Sequence, residues 1–384
     1  MIRRDFLKLL GLSVPALRNA LAQTRSKKTL ITIFLRGGVD GLSMVQPTGD
    51  TSLAALRPGL LHGGASLDGF FSLHPAMKSL LPLYESKQLA VLHAVGQASA
   101  SRSHFEAQDF IESGLAGMKR PDGFLNRALE AVPGDEAFRA VAVQNALPRS
   151  LAGDAPALAF PSLAQFRVGG GGGTFESLYA EAVDEALRTS GHEAFESLGT
   201  VKSKNLAKQE PQNGAQYPKG ALGKRLADLA RLIHAHVGLR IGVTEMTGFD
   251  THLNQGADSG QLANRLAELG DALAAFATDL GPKLNDVVVV TMTEFGRTAR
   301  ENGTRGTDHG TASASFVLGG GVKGGRVVAQ WPGLSASKLF ENRDLAVTTD
   351  LRSVLAEAIA AAEIPAKPDD VFPEFKPARV GLYK

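Results

Sequence analysis

The 384-residue sequence contains no cysteine, which excludes disulfide bonds, thiolate chemistry and sulfur-ligated metal sites. It also lacks an excess of either charge, since 41 Lys and Arg residues stand against 39 Asp and Glu residues. Nucleic-acid binding needs clustered basic residues that displace counterions, so no nucleic-acid partner is expected. After the first residues, no apolar run approaches the roughly 20 residues that cross a bilayer, so no membrane span is expected.

The first 22 residues have the order of features typical of an export signal. Arg3 and Arg4 open a charged segment, an apolar stretch runs from Leu9 to Leu17, and a small-x-small pattern follows at residues 20–22. The paired arginines favour the twin-arginine route, with its translocase as a partner and a periplasmic or extracellular destination. An amphipathic helix that begins a domain is the alternative. Without residues 1–22, which hold four basic residues and one acidic residue, the chain has a net charge of −1.

Short apolar runs alternate with amphipathic segments along the rest of the chain. The apolar runs lie at residues 30–35, 89–95, 138–143, 239–243 and 286–290. Runs without polar alternation are typical of parallel strands that are covered on both faces. Residues 221–237 and 262–276 carry leucines at helical spacing. This alternation predicts an α/β fold with a mostly parallel central sheet and helices on both faces.

One α/β domain over residues 29–384 is the predicted organisation, with a polar insertion near residues 190–219. That segment is rich in Gln, Asn, Pro and Gly, which favours an exposed insertion over a domain boundary. Residues 169–173 are five consecutive glycines. A phosphate-binding loop would follow a strand and end in Gly-Lys-Ser/Thr, but Thr-Phe-Glu follows here. We interpret the glycines as a loop.

Polar residues gather where the predicted strands end. Ligands of open parallel sheets bind beyond the carboxyl ends of the strands, so these side chains are the candidates for chemistry. They are Asp40, Arg102, Ser103, His104, Asp250, His252, Glu294, Arg297, Asp308 and His309. Neutral imidazole with carboxylate suits zinc, manganese or iron, whereas oxygen-rich sites also admit magnesium or calcium.

Such a set of residues is suited to the transfer of phosphoryl or sulfuryl groups. Two metals about 4 Å apart can clamp the attacking and leaving oxygens, and a serine hydroxyl held on one metal becomes a nucleophile. Arg102 or Arg297 could hold the non-bridging oxygens, because a guanidinium group matches an oxyanion. Structural alternatives exist: Asp40 precedes a glycine as turn residues do, and Ser103 with Glu106 has the spacing of a capping box.

As an ordered set, the motifs of this chain resemble those of domain-of-unknown-function family 1501. These are exported bacterial proteins placed among relatives of alkaline phosphatases, sulfatases and phosphoglycerate mutases. The resemblance covers nearly all of residues 29–384 and implies an alkaline-phosphatase-like fold. The motifs that carry it are FLRGGVDGL at 34–42, RSHFEAQ at 102–108, GFDTH at 248–252, TEFGRT at 293–298, GTDHG at 306–310, GGR at 324–326 and TTDLR at 348–352.

The resemblance also implies roles for individual residues. The nucleophile of the superfamily corresponds to Ser103, with Ser101 as a rival. Its metal ligands correspond to Asp40, to Asp250 with His252, to Glu294 and to His309.

The chain departs from the superfamily pattern at Phe295. Relatives have a histidine ligand there, which a phenylalanine cannot replace. His104 or Asp308 would have to supply the missing donor.

The sequence therefore predicts an exported, metal-assisted hydrolase of small-molecule or glycan phosphate or sulfate esters. A serine on the metal would be its nucleophile, and the metal would be zinc, or else manganese, magnesium or calcium. The alternative is a non-catalytic binding or cell-surface assembly protein that keeps the fold with a degenerate metal site.

Overall fold

The computed structural model describes residues 28–97, 101–116, 120–134, 136–166, 199–202 and 204–383. The expected signal peptide (1–22), the glycine loop (169–173) and the first part of the insertion (190–198) lie outside the described residues. Among the described residues, no helix is long and apolar enough to cross a membrane.

The strands form two sheets. In chain order they are β1 (Thr29–Leu35), β2 (Val45–Gln46), β3 (Ala65–Ser66), β4 (Ser72–Leu73), β5 (Leu89–Gly96), β6 (Ala140–Val143), β7 (Leu158–Phe160), β8 (Ile241–Met246), β9 (Val287–Met292), β10 (Ser313–Gly319), β11 (Arg326–Val328) and β12 (Thr349–Asp350). The central sheet has the order β11-β5-β10-β9-β1-β8-β6-β7, with β12 beside β5. The order β2-β4-β3 makes a small second sheet.

The central sheet is mostly parallel. Strand β1 pairs in parallel with both β8 and β9, and β6 pairs in parallel with β8 and β7. Strand β10 is the exception, because it pairs antiparallel with both β9 and β5. The five apolar runs of the sequence correspond to β1, β5, β6, β8 and β9, which confirms the predicted class of sheet.

Helices cover the sheet on both faces. In chain order they are α1 (Gly41–Met44), α2 (Leu53–Leu56), α3 (Leu81–Glu85), α4 (His104–Ser113), α5 (Phe124–Glu130), α6 (Ala221–His234), α7 (Gln261–Leu280), α8 (Leu351–Ala361) and α9 (Pro368–Val371). Short 3-10 turns lie at Pro75–Leu80, Arg149–Leu151, Leu206–Lys208, Gly281–Asp286 and Ala336–Lys338.

Alternate residues of β1 enter two different hydrophobic cores. Ile31 and Ile33 pack into the core that contains the leucines of α6 and α7. Leu30 and Phe34 pack into the core formed with α5 and α8. Because successive side chains of a strand point to opposite faces, one fully buried strand anchors both layers. The predicted helices on both faces are thereby confirmed.

The described part of the polar insertion is docked against the domain. Leu206 is buried, and Tyr217 donates a hydrogen bond to Oδ2 of Asp279 at 2.9 Å. The backbone N–H of Gln212 donates to the other oxygen of Asp279 at 2.7 Å. The composition of the insertion indicates exposure, but its described part makes anchoring contacts to Asp279 at the end of α7.

Candidate metal centre

Five loops meet at one edge of the central sheet. Four of them follow the carboxyl ends of β1, β5, β8 and β9. The fifth precedes β10, and because β10 runs antiparallel, its beginning lies at the same edge. This reversed strand brings Asp308 and His309 to the polar residues that follow the parallel strands.

Two glycines allow the loop after β1 to lie close to its neighbours. Gly37 has φ +113°, and a Cβ there would lie 2.7 Å from the backbone nitrogen of Asp250. Gly38 has φ +69°, and a Cβ there would overlap the ring of Phe295. Both positions therefore need glycine for conformation and for space.

Imidazole nitrogens converge on the Asp250 carboxylate. One ligand atom from each of His104, Asp250 and His309 lies within 4.8 Å of the others. The Oδ1 atom of Asp250 lies 3.1 Å from Nε2 of His309, 3.0 Å from Nε2 of His252 and 3.5 Å from Nε2 of His104. The three rings thus direct the same nitrogen, Nε2, towards one carboxylate oxygen.

The opposite nitrogen of each ring is held by an oxygen. Nδ1 of His252 lies 3.0 Å from Oδ1 of Asp308, and Nδ1 of His104 lies 2.8 Å from Oε1 of Glu294. Nδ1 of His309 lies 2.8 Å from the backbone carbonyl oxygen of Arg102. A carbonyl or an ionised carboxylate can only accept, so a neutral ring that donates to these oxygens carries its proton on Nδ1. Each Nε2 then presents a lone pair.

Lone pairs without donors are unfavourable unless a cation lies among them. Nε2 of His252 and Nε2 of His309 face each other at 2.9 Å, and Nε2 of His104 is buried without a hydrogen-bond partner among the described residues. Metal-bound histidines use the same arrangement, with one nitrogen on the ion and the other donating to an oxygen. The donor set therefore fits a divalent metal.

Asp250 is kept ionised by a buried arginine. Burial raises the pKa of Asp250, but the hydrogen bond and the charge of Arg297 outweigh it and lower the pKa to about 2. Nη2 of Arg297 donates to Oδ1 of Asp250 at 2.6 Å. The carboxylate is therefore available as an anionic ligand at neutral pH.

The remaining donors of Arg297 hold the loops together. Its Nε donates to the carbonyl of Gly38 at 2.6 Å, its Nη1 donates to that of Thr307 at 3.0 Å, and its Nη2 also donates to that of Gly37. Arg297 was expected to bind the oxyanion of a substrate. The residue is only 1% exposed, and its side-chain N–H groups are engaged within the protein.

Glu294 and Asp308 hold histidines. Oε1 of Glu294 accepts hydrogen bonds from Gln108 at 2.9 Å and from the backbone N–H of Gly37 at 2.8 Å, besides its contact with His104. Asn302 donates to Oδ1 of Asp308 at 3.2 Å. Both carboxylates were expected to bind metal, but they lie behind the rings that they orient.

Asp40 lies in a separate, buried ion pair. Both of its oxygens accept from Nη1 of Arg57, at 2.8 and 2.7 Å, and both side chains are 0% exposed. Burial raises the pKa of Asp40, but the charge and hydrogen bonds of Arg57 outweigh it and lower the pKa. Asp40 was expected as a metal ligand, yet its charge is already compensated.

Gln255 connects this ion pair to the metal-binding loops. Its Nε2 donates to Oδ2 of Asp40 at 2.6 Å. Its Oε1 accepts from the hydroxyls of Thr251 at 2.7 Å and Thr307 at 2.8 Å. These threonines stand next to Asp250 and Asp308 in the chain. Asp40 is therefore linked through Gln255 to the two loops that carry these carboxylates.

Ser103 directly precedes His104 at the beginning of α4. Its side chain is exposed and makes no capping hydrogen bond, so the capping-box alternative is not realised. Glu106 instead binds the hydroxyl of Ser101 at 2.6 Å. Of the two candidate nucleophiles, Ser103 has the less engaged hydroxyl.

Arg102 points away from the cluster. Its Nη2 donates to Asp344 and to Glu341, each at 2.6 Å. Only its backbone carbonyl contributes to the site, through Nδ1 of His309. Arg102 therefore does not present its charge to the imidazoles.

Phe295 packs against two of the histidines. Its ring centroid lies 4.8 Å from that of His104 and 4.8 Å from that of His309. An apolar ring in this position offers no ligand atom and occupies space beside the cluster. The geometry accordingly suits one metal rather than a pair.

Sequence reasoning underestimated His104, which it treated only as a substitute donor. It missed Arg57, Gln108, Gln255 and Asn302, which hold site residues by hydrogen bonds. The signal for His104 was its place directly after Ser103 at the start of a helix. Nothing in the local sequence marks Arg57 as the partner of Asp40.

The fold and the cluster define an α/β protein with an imidazole–carboxylate centre at the edge of a mostly parallel sheet. The chain belongs to the family described as "Protein of unknown function (DUF1501)", which it matches over residues 27–362. The resemblance drawn from the motifs is thereby confirmed. No curated protein sequence matches the chain at a significant level.

Three solved structures align with most of this chain at low sequence identity. PsFucS1 sulfatase from Pseudoalteromonas sp. aligns over 100% of this chain and 78% of its own, with 12% identity and a TM-score of 0.43. The zinc complex of the C-terminal periplasmic domain of EcEptC from Escherichia coli aligns over 94% and 90%, with 11% identity and a TM-score of 0.40. Alkaline phosphatase from the Antarctic bacterium TAB5 aligns over 88% and 99%, with 10% identity and a TM-score of 0.37.

Proposed function

We propose that this protein is a metal-dependent hydrolase of phosphate or sulfate esters. The observation that carries the proposal is the convergence of three Nε2 atoms on Asp250 while every Nδ1 faces an accepting oxygen. The ligands would be His104, His252, His309 and Asp250. This set of three imidazoles and one carboxylate suits zinc, and manganese is the next candidate.

A bound divalent ion would supply Lewis acidity, which polarises an ester oxygen and lowers the pKa of an attacking hydroxyl. The protein contributes the orientation of the ligands, since Glu294, Asp308 and the carbonyl of Arg102 each fix one ring. Asp250 stays anionic beside Arg297 and so supplies negative charge that favours a cation.

The proposed nucleophile is the hydroxyl of Ser103. Its exposed side chain lies one position before the ligand His104, at the N-terminus of a ten-residue helix. The first N–H groups of a helix have no partners within the helix and favour anions. Those of α4 would bind the non-bridging oxygens, because Arg102 and Arg297 are engaged elsewhere. The substrate would be a small-molecule or glycan ester.

Export by the twin-arginine route is part of the same proposal. Its support is the Arg3-Arg4 pair with the apolar stretch behind it. Replacing both arginines with lysine should leave the precursor in the cytoplasm, which cell fractionation would reveal. Normal periplasmic accumulation of that variant would contradict the assignment.

The test of the function combines metal analysis with hydrolysis. Protein purified without chelator should contain about one divalent ion per chain and should hydrolyse 4-nitrophenyl phosphate, bis(4-nitrophenyl) phosphate or 4-nitrophenyl sulfate. His309→Ala should lose both metal and activity, because the ring supplies one of the nitrogen ligands. The surface variant His236→Asn is the control, since asparagine tolerates the positive φ of 51° at that position.

A binding or assembly protein with the same fold is the second candidate. The observation that favours it concerns Arg102 and Arg297, which were expected to bind the oxyanion. Both arginines are engaged in contacts within the protein, and Phe295 lies beside the cluster. Metal-loaded protein that hydrolyses none of the phosphate monoesters, diesters or sulfates above the His309→Ala background would support this second function. It would also contradict the first.

A further inference from the structure

A cavity of about 470 Å³ lies beside the metal centre. Asp308 belongs to its lining, and the same carboxylate holds Nδ1 of His252 at 3.0 Å. Asn302 also lines the cavity, and it donates to Asp308 at 3.2 Å and to the backbone carbonyl of His252 at 2.9 Å. The cavity and the cluster therefore share a wall, because two lining residues of the cavity hold the proposed ligand His252.

The acidic and the basic side chains that line the cavity differ in how far they are already hydrogen-bonded within the protein. Its acidic residues are Glu301 and Asp308, and its basic residues are Arg300 and Arg343. Glu301 accepts from the backbone N–H of Gly59 at 2.8 Å, and Asp308 holds His252. Both carboxylates are thus already hydrogen-bonded within the protein.

The two guanidinium groups keep donors for a ligand. Arg300 is exposed, and the one hydrogen bond of its guanidinium group to a described residue is a long one of 3.5 Å to the carbonyl of Ala55. Within the described part of the chain, the Arg343 guanidinium group bonds only through Nη1, which donates to the neighbouring Asp344 at 3.1 and 3.3 Å. Leu56 and Leu334 give the same cavity an apolar floor. Free cationic donors above an apolar floor suit a ring-sized group that carries an acid.

We propose that this cavity binds the leaving group of the ester and selects leaving groups that carry a second acid group. The inference rests on the proposed hydrolase function. A carboxylate, phosphate or sulfate on the leaving group would accept hydrogen bonds from Arg300 and Arg343 while the scissile ester lies at the histidine cluster. The substrate class is therefore a dianionic or polyanionic ester rather than a simple alkyl or aryl ester.

The test compares phenyl phosphate with 4-carboxyphenyl phosphate, and the corresponding two sulfates, on the metal-loaded protein. The measured quantity is the ratio of kcat/KM for the carboxylated ester to that for the plain ester. Intrinsic reactivity cancels when this ratio is compared between variants. Arg300→Gln should lower the ratio about tenfold, as expected for the loss of a charge-assisted hydrogen bond. Arg300→Lys should recover part of it, and Arg120→Gln, at an exposed residue that does not line the cavity, should leave the ratio as in the wild type.

A binding experiment separates failure of this inference from failure of the hydrolase function. Isothermal titration would compare benzylphosphonate with 4-carboxybenzylphosphonate, neither of which is hydrolysed. Hydrolysis with the same ratio in wild type and Arg300→Gln would overturn the inference and leave the hydrolase standing. A third outcome is that no ester is hydrolysed, the wild type binds the carboxylated phosphonate more tightly, and Arg300→Gln binds both phosphonates equally. This result would keep the cavity's preference for a second acid group and overturn the hydrolase function. Equal binding of both phosphonates without hydrolysis would overturn both.

Discussion

Nε2 of His252 and Nε2 of His309 lie 2.9 Å apart, while Nδ1 of each ring faces an oxygen that accepts. Two neutral rings in these orientations point lone pairs at each other. A proton on one ring would relieve this repulsion locally, but Nε2 of His104 and Oδ1 of Asp250 add two more electron-rich atoms. A divalent cation satisfies all of them together.

Substitution of Glu294 or Asp308 should weaken metal binding without changing the number of bound ions. We expect Glu294→Gln and Asp308→Asn to weaken zinc binding about 10–100-fold, because each side chain fixes a ligand ring rather than binding the ion. Competition titration with a chelating dye measures the affinity, and elemental analysis measures the stoichiometry. Glu85→Gln is the control, since Glu85 is exposed. Complete loss of the ion in either variant would identify that carboxylate as a direct ligand.

The parallel strands and the long helices were predictable because their signals are local. Short β-branched apolar runs such as residues 287–290 are typical of strands that are covered on both faces. Strand β10 escaped prediction because serines interrupt it. Ser313 and Ser315 are buried, and their hydroxyls donate to the carbonyls of Val39 and Thr291. A serine that bonds to a neighbouring backbone tolerates burial, which its residue type does not reveal.

The site could be predicted as a set of residues but not as a set of roles. Strand-end motifs indicated Asp250, His252 and His309 because loops at one sheet edge converge. Asp40 comes from the same kind of loop, and only the three-dimensional contact with Arg57 shows that its charge is compensated. The engagement of Arg102 and Arg297 by Asp344 and Asp250 is likewise a long-range contact.

Asp40→Asn should reduce stability far more than metal content. The substitution leaves the buried Arg57 without its counter-charge, which costs about 3 kcal/mol in the free energy of unfolding. Urea unfolding of the chelated protein measures this loss, and elemental analysis of the folded variant should still find metal. A variant of normal stability without bound metal would reverse this interpretation and restore Asp40 as a ligand.

Ser103→Ala should abolish ester hydrolysis while leaving the metal bound, because the hydroxyl is the proposed nucleophile and the three imidazoles and Asp250 would still hold the ion. Steady-state kinetics with 4-nitrophenyl esters and elemental analysis give the two readouts. Ser101→Ala is the matched control, since that hydroxyl is hydrogen-bonded to Glu106 at 2.6 Å. Undiminished turnover by Ser103→Ala, with loss in Ser101→Ala, would exchange the roles of the two serines.

His93 should make the fold sensitive to mild acid. Its ring is fully buried, with Nε2 2.9 Å from the carbonyl of Val45 and Nδ1 accepting from the N–H of Ala94 at 2.8 Å. Burial lowers the pKa of His93 to about 4, because a charged ring would lose its hydration. A second ring proton would also face the N–H of Ala94.

The sign of the effect follows from the two states of His93. An unfolded histidine titrates near pH 6.5, so between about pH 6.5 and pH 4 the unfolded chain binds a proton that the folded protein does not. Stability is therefore complete above the unfolded pKa and is lost as the pH falls. The loss from His93 should be about 2 kcal/mol between pH 7 and pH 5.

Urea unfolding of the chelated protein at both pH values measures this difference without interference from metal release. His93→Gln should be less stable than the wild type at pH 7, because glutamine fills the buried site imperfectly. The difference in stability between pH 7 and pH 5 should nevertheless shrink by about 2 kcal/mol, because glutamine does not titrate in this range. An unchanged difference would show that His93 is not the source of acid sensitivity. His62 would then be the next candidate for the source of acid sensitivity, since burial also lowers its pKa to about 4.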